Sequence, residues 1–322
     1  MTNRIDIVIP TYNRPKSLHR TLLLLHEALE GTMNIHINVI DNCSTDNTKN
    51  ILSLMVDHFE KSSMEFNYHI NVVNIGLDGS ILYIARNILS ERGFTWFLSD
   101  DDHLLTEGVR LFVGRLLISD KKMEIANFST PLDKNAQDAH ADPLFRASFL
   151  PTVALKGDFK PIAGIDNLQG YNYMHLAVIN TIIKERSEIG VSEFTVGIQM
   201  PNISSRFQFF NTLILGYSKC LMFDNKIMAR KDARKEAITR GEDNAAWALL
   251  DYASDSKLVA WTPTFGDVLE IYREFGVRSY RIIAITVLMK IPRLPIKLIF
   301  NKKINKYLKE LCDKKEILKD YG

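Results

Sequence analysis

The amino-acid sequence predicts an α/β fold in which a mostly parallel sheet is flanked by helices and followed by a helical C-terminal extension. Two observations lead to this prediction. In roughly the first hundred residues, short β-branched runs alternate with segments of helical spacing, and such alternation produces parallel strands joined by helical crossovers. Several of these strand-like runs also end in polar clusters, at the edge where open parallel sheets bind their ligands.

Each strand is predicted from a short apolar run that a turn residue stops. The first run covers residues 5–9 and is stopped by Pro10. A helix is predicted over residues 14–30, because leucines recur three or four positions apart until Gly31. The other strands are predicted at residues 35–40, 68–73 and 94–98, and the other helices at residues 48–59, 79–91, 109–119, 179–189 and 243–252.

The charge distribution argues against a nucleic-acid-binding protein. The chain of 322 residues has 40 Lys and Arg against 38 Asp and Glu, a net charge of +2. The basic residues are concentrated at residues 276–322, which carry twelve Lys and Arg against four Asp and Glu. The body of the chain is therefore acidic, and the basic tail lacks the regularly interleaved aromatic residues of a nucleic-acid-binding surface.

The cysteine content and the apolar runs indicate a cytoplasmic protein. Three cysteines, Cys43, Cys220 and Cys312, show no pairing pattern, so we expect a reducing compartment. The first residues enter a strand-like run at once, without the pattern of a signal peptide. No stretch reaches the ~18 uncharged apolar residues that a membrane-spanning helix needs. We therefore expect the protein to be soluble or peripheral to a membrane.

The most informative motif is Ser99-Asp100-Asp101-Asp102, here called the acidic turn, which directly follows the predicted strand at residues 94–98. Three successive carboxylates repel one another unless a cation or hydrogen-bond donors compensate their charge. A hard divalent ion that bridges them to a diphosphate would do so. Taken alone, the run could also be a solvated turn that caps the next helix. Its place among other polar strand ends favours the metal–diphosphate site.

Polar residues also follow the first two predicted strands. The first strand is followed by Pro10, Thr11, Tyr12 and Arg14, and the second ends at Asp41. The backbone of this first loop and Tyr12 could receive a base, and Arg14 could meet a phosphate. The carboxylate of Asp41 could accept a hydrogen bond from a base. Each feature alone could be a turn or a helix cap, but together they favour a nucleotide site.

A further candidate follows the third predicted strand. Asn74 and Gly76 form a turn there, and Arg86 lies in the helix that comes next. A glycine at this place would permit close approach of the backbone to a ligand. A plain glycine turn with an exposed helix face would fit the same residues.

These residues resemble the successive motifs of family 2 glycosyltransferases. The matching segments are residues 7–14, 39–46, 74–76 with 85–87, and 97–102. Four motifs in this order and spacing form a specific signal. The form of the acidic turn, with Leu98 before it, is similar to that of abequosyltransferases, which extend lipid-linked O-antigen units.

The resemblance implies a GT-A fold, a nucleoside-diphosphate sugar as donor, Mn²⁺ or Mg²⁺ as cofactor, and inversion at the anomeric carbon. By position, it places Thr11 and Asp41 at the base, Asp100 near the ribose or the metal, Asp101 at the donor sugar, and Asp102 at the metal. One departure is Asn42, where the family often has a second Asp, and this difference concerns contacts to the base or the ribose.

An inverting transfer needs a general base at the acceptor hydroxyl, and the sequence leaves its identity open. Residues 181–190 resemble the helix ahead of the family's acceptor region, but the expected Glu-Asp pair does not follow. Residues 241–243 supply such a pair later than usual. Asp243 is the first candidate, although it could be an ordinary acid in the first turn of a helix. Glu193 and His175 are further candidates, and His175 could also be a core histidine.

The C-terminal extension combines lysines and arginines with apolar residues over residues 278–319. Basic residues around an apolar face allow a helix to lie on an anionic bilayer, at roughly 1 kcal/mol per nearby Lys or Arg. The pattern would also fit a core-packing helix followed by a solvated basic helix, or a contact with a partner chain. A lipid-linked acceptor would make membrane binding useful, so we expect peripheral association with the inner face of the cell membrane.

The expected organisation has a donor-binding half at residues 1–120, an acceptor-binding half of the same domain at residues 121–275, and the extension at residues 276–322. The expected activity is transfer of a sugar to a glycan acceptor on a polyprenyl diphosphate, in cell-surface polysaccharide synthesis. A nucleotidyltransferase is an alternative, but it would usually need a glycine in the loop at residues 10–15, which has none. A catalytically degenerate sugar-nucleotide-binding or scaffold protein is the other alternative.

Overall fold

The computed structural model describes residues 3–129, 146–147, 149–198, 215–228, 230–254 and 265–288. The chain divides into two compact units, Met1–Ile165 with Met174–Pro201, and Asp166–Tyr173 with Asn202–Gly322. The division into compact units carries no information on which residues bind the donor and which bind the acceptor. The functional parts expected at residues 1–120, 121–275 and 276–322 therefore stay a prediction.

The first unit is built on a mixed sheet. Its strands are β1 (Arg4–Thr11), β2 (Ile35–Asp41), β3 (Glu65–Ile70), β4 (Gly93–Phe97), β5 (His103–Leu104), β6 (Met123–Ser129), β7 (Val153–Leu155) and β8 (Ile189–Ile198). Its helices are α1 (Pro15–Leu29), α2 (Thr48–Phe59), α3 (Gly76–Asn87), α4 (Thr106–Ile118) and α5 (Met174–Ile182). The strand order is β3-β2-β1-β4-β7-β6-β8-β5. Strands β1 to β4 pair in parallel, whereas β7 is antiparallel to both of its neighbours.

The apolar periodicity of β1 and α1 explains how the sheet and its helices pack. Ile5, Ile7 and Ile9 of β1 are fully buried and belong to the same core cluster as Leu18 and Leu22 of α1. Burial on both faces of the sheet is why the strand is an almost continuous apolar run rather than an alternating one. The prediction of a mostly parallel sheet flanked by helices is confirmed.

The third strand ends earlier than its sequence predicts, at Ile70 rather than at residue 73. Val72 and Val73 are β-branched, which favours a strand, but Val72 is 93% exposed. The amide N–H of Asn71 still donates to the carbonyl of Asp41 at 2.8 Å, and the chain then turns away. Hydrogen bonds made by neighbouring asparagine side chains, described below, hold this turn and override the β-propensity of the valines.

The predicted helix at residues 179–189 is a helix only in its first part, so this prediction was wrong at its end. Helix α5 ends at Ile182, and a short helical turn, Arg186–Glu188, leads into β8. Glu185 and Glu188 form a capping box around that turn, in which each side chain accepts a backbone N–H of the other end. Local capping thus separates the helix from a strand that periodicity did not predict.

Strand β6 was also missed, because it carries a buried charge. Glu124 is 1% exposed and accepts hydrogen bonds from Arg115 Nε at 2.7 Å and from the Ser119 hydroxyl at 2.6 Å. Gly190 of β8 lies beside it, and a Cβ atom there would come within 2.2 Å of the Glu124 carboxylate. The glycine therefore makes room for the buried carboxylate of Glu124, and the strand loses the apolar pattern by which it could be recognised.

The second unit is helical in the parts that the structure describes. Its helices are α6 (Tyr217–Met222), α7 (Arg230–Ser254), α8 (Phe265–Phe275) and α9 (Tyr280–Leu288). Helix α9 packs against α7 and α8, and α6 packs against α7. The helix predicted at residues 243–252 is the later part of α7. Most of the basic tail lies outside the described residues, which end at residue 288.

Across the described ranges, every helix is too short or too polar to cross a bilayer.

Candidate functional site

The parallel strands bring three polar loops to one edge of the sheet. Thr11 at the end of β1 is in register with Asp41 at the end of β2. On the other side of β1, the N–H of Leu98 donates to the carbonyl of Val8 at 2.9 Å, so the acidic turn begins beside the same strand end. The sequence-based expectation that these loops share the carboxyl edge of the sheet agrees with this geometry.

The acidic turn is held by residues of the first loop. The Thr11 hydroxyl donates to Asp100 Oδ2 at 2.6 Å. Arg14 Nη1 donates both to Asp100 Oδ1 at 2.8 Å and to Asp101 Oδ2 at 2.7 Å. Asp100 and Asp102 are buried, whereas the side chain of Asp101 is 26% exposed. The Ser99 hydroxyl donates to the other oxygen of Asp101.

The electrostatics of this turn follow from its burial. Burial raises the pKa of Asp100, and the neighbouring Asp101 carboxylate adds to this effect, although Arg14 and Thr11 act in the opposite direction. Burial lowers the pKa of Arg14, but the two carboxylates outweigh burial, so the pKa is raised overall. The guanidinium therefore stays charged and compensates part of the acidic charge.

The residues present fit a divalent cation by chemistry and by charge. Carboxylate oxygens are the ligands that Mg²⁺ and Mn²⁺ prefer, and Arg14 provides one positive charge against the three acids of the acidic turn. The turn is not a preformed metal site, however. Within the described residues, no three His, Cys, Asp or Glu side chains are grouped so that they could hold an ion. Asp100 and Asp101 are instead engaged by Arg14.

Asp41 presents a buried carboxylate oxygen to this edge of the sheet. Its Oδ1 accepts a hydrogen bond from the Ser44 N–H at 3.0 Å. Its Oδ2 is buried and receives no hydrogen bond from the residues that the structure describes. A buried carboxylate oxygen without a donor is costly, so this atom is suited to a ligand N–H.

Asn13 ties the first two loops together. Its own N–H donates to the Ser44 hydroxyl at 2.9 Å, and its side-chain oxygen accepts from the Thr45 N–H at 2.8 Å. Asn13 has a φ of 53°, a left-handed conformation that Asn tolerates better than most residues. Neither Asn13 nor Ser44 is among the site residues predicted from the sequence. The signal was present, since Asn and Ser are the residues that bond locally to backbone groups in loops.

A network of amides holds the loop before α3 against the end of β2. The Asn42 side chain donates to Asn74 Oδ1 at 2.7 Å and accepts from the Asn71 side chain at 3.2 Å and the Ile75 N–H at 2.8 Å. Asn74 Oδ1 also accepts from the Gly76 N–H at 2.9 Å. Gly76 has a φ of 70°, which explains why a glycine stands there.

The other predicted donor-site residues lie in three different places. Pro10 lies within β1, and Tyr12 follows it with an exposed ring. Arg86 lies in the last turn of α3, about 15 Å along the helix from Gly76 at ~1.5 Å per residue. Hydrogen bonds join Thr11, Arg14 and Asp100 directly, and a separate bond joins Asn42 with Asn74.

The three general-base candidates come from three different elements. His175 is buried in α5, next to Met174, whose N–H donates to Asp78. Glu193 is an exposed residue in the middle of β8. Asp243 belongs to the second unit and lies well inside α7, which begins at Arg230. The interpretation of Asp243 as a first-turn acid was therefore wrong.

Comparison with known proteins gives the following matches. A family model described as Glycosyl transferase family 2 matches residues 6–175, which is more than half of the chain. Abequosyltransferase RfbV of Salmonella typhimurium is 27% identical over 107 residues, 33% of this chain and 31% of that protein. The uncharacterized glycosyltransferase MG060 of Mycoplasma genitalium is 23% identical over 110 residues, 34% of this chain and 36% of its own. The match thus spans about a third of each curated relative.

Two solved structures share the fold. The mannosyltransferase PcManGT of Pyrobaculum calidifontis, in complex with GDP-Man and Mn²⁺, aligns with a TM-score of 0.53 at 13% identity, covering 89% of this chain and 87% of its own. TarS of S. aureus aligns with a TM-score of 0.51 at 14% identity, covering 74% of this chain and 43% of its own. At these identities the likeness concerns the fold alone.

Proposed function

The chain belongs to glycosyltransferase family 2 and has the GT-A fold, and on that basis we propose that it transfers a sugar from a nucleoside-diphosphate sugar to a glycan acceptor. One observation carries the proposal. Thr11 and Arg14 hold the buried Asp100 at the carboxyl edge of the sheet, where Asp41 keeps a carboxylate oxygen available. This edge thus combines an acceptor for a base with acids for a metal-bound diphosphate.

We assign the nucleoside end of the donor to Asp41 and Thr11. Asp41 Oδ2 needs an N–H donor, and every common nucleobase carries one in its ring or on its amino group. PcManGT was solved with GDP-Man and a TarS fragment with UDP, which supports a nucleotide sugar as the class of ligand. The chemistry of one carboxylate oxygen does not select among the bases, so the base is left to experiment.

We propose Mn²⁺ or Mg²⁺ as cofactor, held by Asp102 and Asp100. When bound, the ion would neutralise the charge that develops on the leaving diphosphate. Asp101 is more exposed than its two neighbours and would face the donor sugar. The presence of Mn²⁺ in the PcManGT complex supports this choice of metal.

The proposed reaction is an inverting displacement. The acceptor hydroxyl attacks the anomeric carbon, the bond from that carbon to the diphosphate oxygen breaks, and the hydroxyl proton passes to a general base. His175, Glu193 and Asp243 remain the candidates for this base. Thr11, Arg14 and the acidic turn would orient the donor so that the anomeric carbon faces the acceptor.

We further propose that the acceptor is linked to a polyprenyl diphosphate, and that residues 278–319 bind the inner face of the cell membrane. Helix α9, which lies near the start of that segment, supports this proposal. Tyr280, Arg281 and Val287 are all more than half exposed on it. An aromatic, a basic and an apolar side chain on one short helix suit the interface of an anionic bilayer.

A second candidate is a sugar-nucleotide-binding protein without turnover. It is favoured by one observation, since the Glu-Asp pair expected soon after residues 181–190 is missing from that place in the sequence. In that case Asp41 and the acidic turn would bind a donor, but no acceptor hydroxyl would be deprotonated. Binding experiments alone would not separate the two functions.

Product formation separates them. We would incubate the full chain with UDP-, GDP-, dTDP- and CDP-hexoses, Mn²⁺ and a polyprenyl-diphosphate-linked monosaccharide, and measure glycosylated lipid by mass spectrometry. The transferase proposal predicts product with the wild type and with Asp57→Asn, an exposed acid on α2 that serves as control, but not with Asp102→Asn. A donor that binds but gives neither glycosylated lipid nor free nucleoside diphosphate would favour the binding protein.

A further inference from the structure

Arg14 bridges two acids of the acidic turn with a single nitrogen. Its Nη1 is 2.8 Å from Asp100 Oδ1 and 2.7 Å from Asp101 Oδ2. The charge of the guanidinium therefore lies between the two carboxylates. A divalent ion bound to the same carboxylates would have to share their negative charge with this cation.

The rest of the guanidinium is available to a ligand. Among the described residues, Arg14 Nε and Nη2 have no hydrogen-bond partner, and the side chain is 30% exposed. The backbone of Arg14 is fixed, because its carbonyl accepts the N–H of Leu18 at 3.0 Å in the first turn of α1. Arg14 can thus keep its contact with the acids or turn its free N–H groups towards an anion without moving the main chain.

The charge of Arg14 affects how a divalent ion and a nucleoside diphosphate bind at the acidic turn. A guanidinium and a divalent cation repel each other, and partial burial strengthens the repulsion. A nucleoside diphosphate carries negative charge and would offset it, while its oxygens accept the unused N–H groups of Arg14. Bound nucleotide should therefore raise the affinity for the metal, and bound metal should raise the affinity for the nucleotide by the same factor.

We propose that Arg14 is the resident counter-cation of the acidic turn and makes tight binding of the divalent ion conditional on a nucleoside diphosphate. The inference rests on the proposed function for the identity of the nucleotide. It gives Arg14 a positioning role in addition to a contact with phosphate. It also explains why the acidic turn is stable as a buried cluster without being a preformed metal site.

The test is a calorimetric titration of Mn²⁺ into the nucleotide-free full chain. We would compare the wild type with Arg14→Gln, Arg14→Lys and Arg92→Gln. Arg92 is an exposed arginine that immediately precedes β4, at the opposite end of this strand from the acidic turn. Removing the Arg14 charge should tighten Mn²⁺ binding about tenfold or more, because the repulsion is lost. Arg14→Lys and Arg92→Gln should stay within about twofold of the wild type.

The second half of the test repeats the titration with a saturating concentration of whichever of UDP, GDP, dTDP and CDP binds the wild type. In the wild type the nucleotide should tighten Mn²⁺ binding about tenfold or more, and in Arg14→Gln the gain should be clearly smaller, since only the attraction between the ion and the diphosphate remains. Arg14→Met keeps the aliphatic length of the side chain and replaces the glutamine variant if that variant unfolds.

Equal Mn²⁺ affinity in the wild type and in the neutral variants would overturn the inference. So would the absence of Mn²⁺ binding in every variant, both with and without nucleotide. Either result would leave nucleotide binding and sugar transfer to be judged on their own measurements. If none of UDP, GDP, dTDP and CDP binds the wild type but Arg14→Gln still tightens Mn²⁺ binding, the conditional role of Arg14 is overturned together with the proposed donor site.

Discussion

The hydroxyl of Thr11 donates a 2.6 Å hydrogen bond to Asp100 Oδ2, and both residues are buried. This bond joins the end of β1 to the acidic turn after β4, although 89 positions separate the two residues in the chain. Together with the contacts of Arg14, it links the first and the last of the family motifs directly. The donor site therefore depends on the parallel pairing of β1 with β4 as much as on the acids themselves.

Replacing Thr11 by Val should destabilise the protein by about 1–3 kcal/mol, because Asp100 Oδ2 would lose its donor while remaining buried. Valine has nearly the same shape, so packing is little changed. Urea unfolding in EDTA would measure the change. Thr32→Val is the control, since the Thr32 hydroxyl makes no hydrogen bond among the described residues. Equal stability of the two variants would show that the Thr11 bond contributes nothing.

Replacing Asn42 by Asp should weaken the loop before α3. A carboxylate cannot donate to Asn74 Oδ1, which lies 2.7 Å from the Asn42 amide nitrogen, and two acceptors would then face each other in a partly buried place. We expect a loss of about 1–3 kcal/mol in unfolding free energy. Asn67→Asp on the exposed edge strand β3 is the matched control. An Asn42→Asp variant as stable as the control would contradict the network.

Gly93 should not tolerate a side chain. An alanine Cβ there would stand 1.9 Å from the carbonyl oxygen of Arg4, within the β1–β4 pairing that carries the site. We expect Gly93→Ala to lower the unfolding free energy by about 1–3 kcal/mol or more. Gly114→Ala should instead raise it by roughly 0.5–1 kcal/mol, since Gly114 lies in α4 with no atom within 4 Å of its Cβ position. If both substitutions changed the unfolding free energy in the same direction, the packing described around these two glycines would be contradicted.

Glu188 should make the stability of the first unit depend on acid pH. Burial raises its pKa, but the hydrogen bond from Lys122 and those from the backbone N–H groups of Lys184 and Glu185 together outweigh this, and the pKa is lowered overall. A lowered folded-state pKa gives stability that is present above the unfolded value of 4.5 and is lost as the pH falls below it. The free energy of unfolding of the wild type should therefore fall more between pH 6 and pH 3 than that of Glu188→Gln. Parallel curves would contradict the assignment.

The sequence predicted β1, β2 and β4 well because these strands are largely buried and are followed by clear turn residues. Periodicity predicted α1 and α2 nearly to the residue. It failed for β6 and β8, where a buried Glu124 and a glycine replace the apolar pattern. It also extended β3 too far, because the valines after Ile70 are strand formers held in a turn by asparagine contacts from another loop.

The candidate site was predictable in its residues but not in its connections. Acids at strand ends are visible in the sequence, and the parallel topology brings them together. That Arg14 spans Asp100 and Asp101, or that Asn42 is committed to Asn74, depends on side-chain geometry between distant loops, which spacing does not encode. The general base is the least predictable part, since its candidates come from segments without a recognisable motif.

The most direct test of the donor site is calorimetric binding of UDP, GDP, dTDP and CDP to the wild type, Asp102→Asn and the control Asp57→Asn, each with Mn²⁺ and with EDTA. We expect at least one nucleotide to bind the wild type and the control with Mn²⁺, and EDTA or Asp102→Asn to abolish this binding. Failure of every nucleotide to bind, or binding that is indifferent to both the metal and Asp102, would contradict the donor site at the carboxyl edge of this sheet.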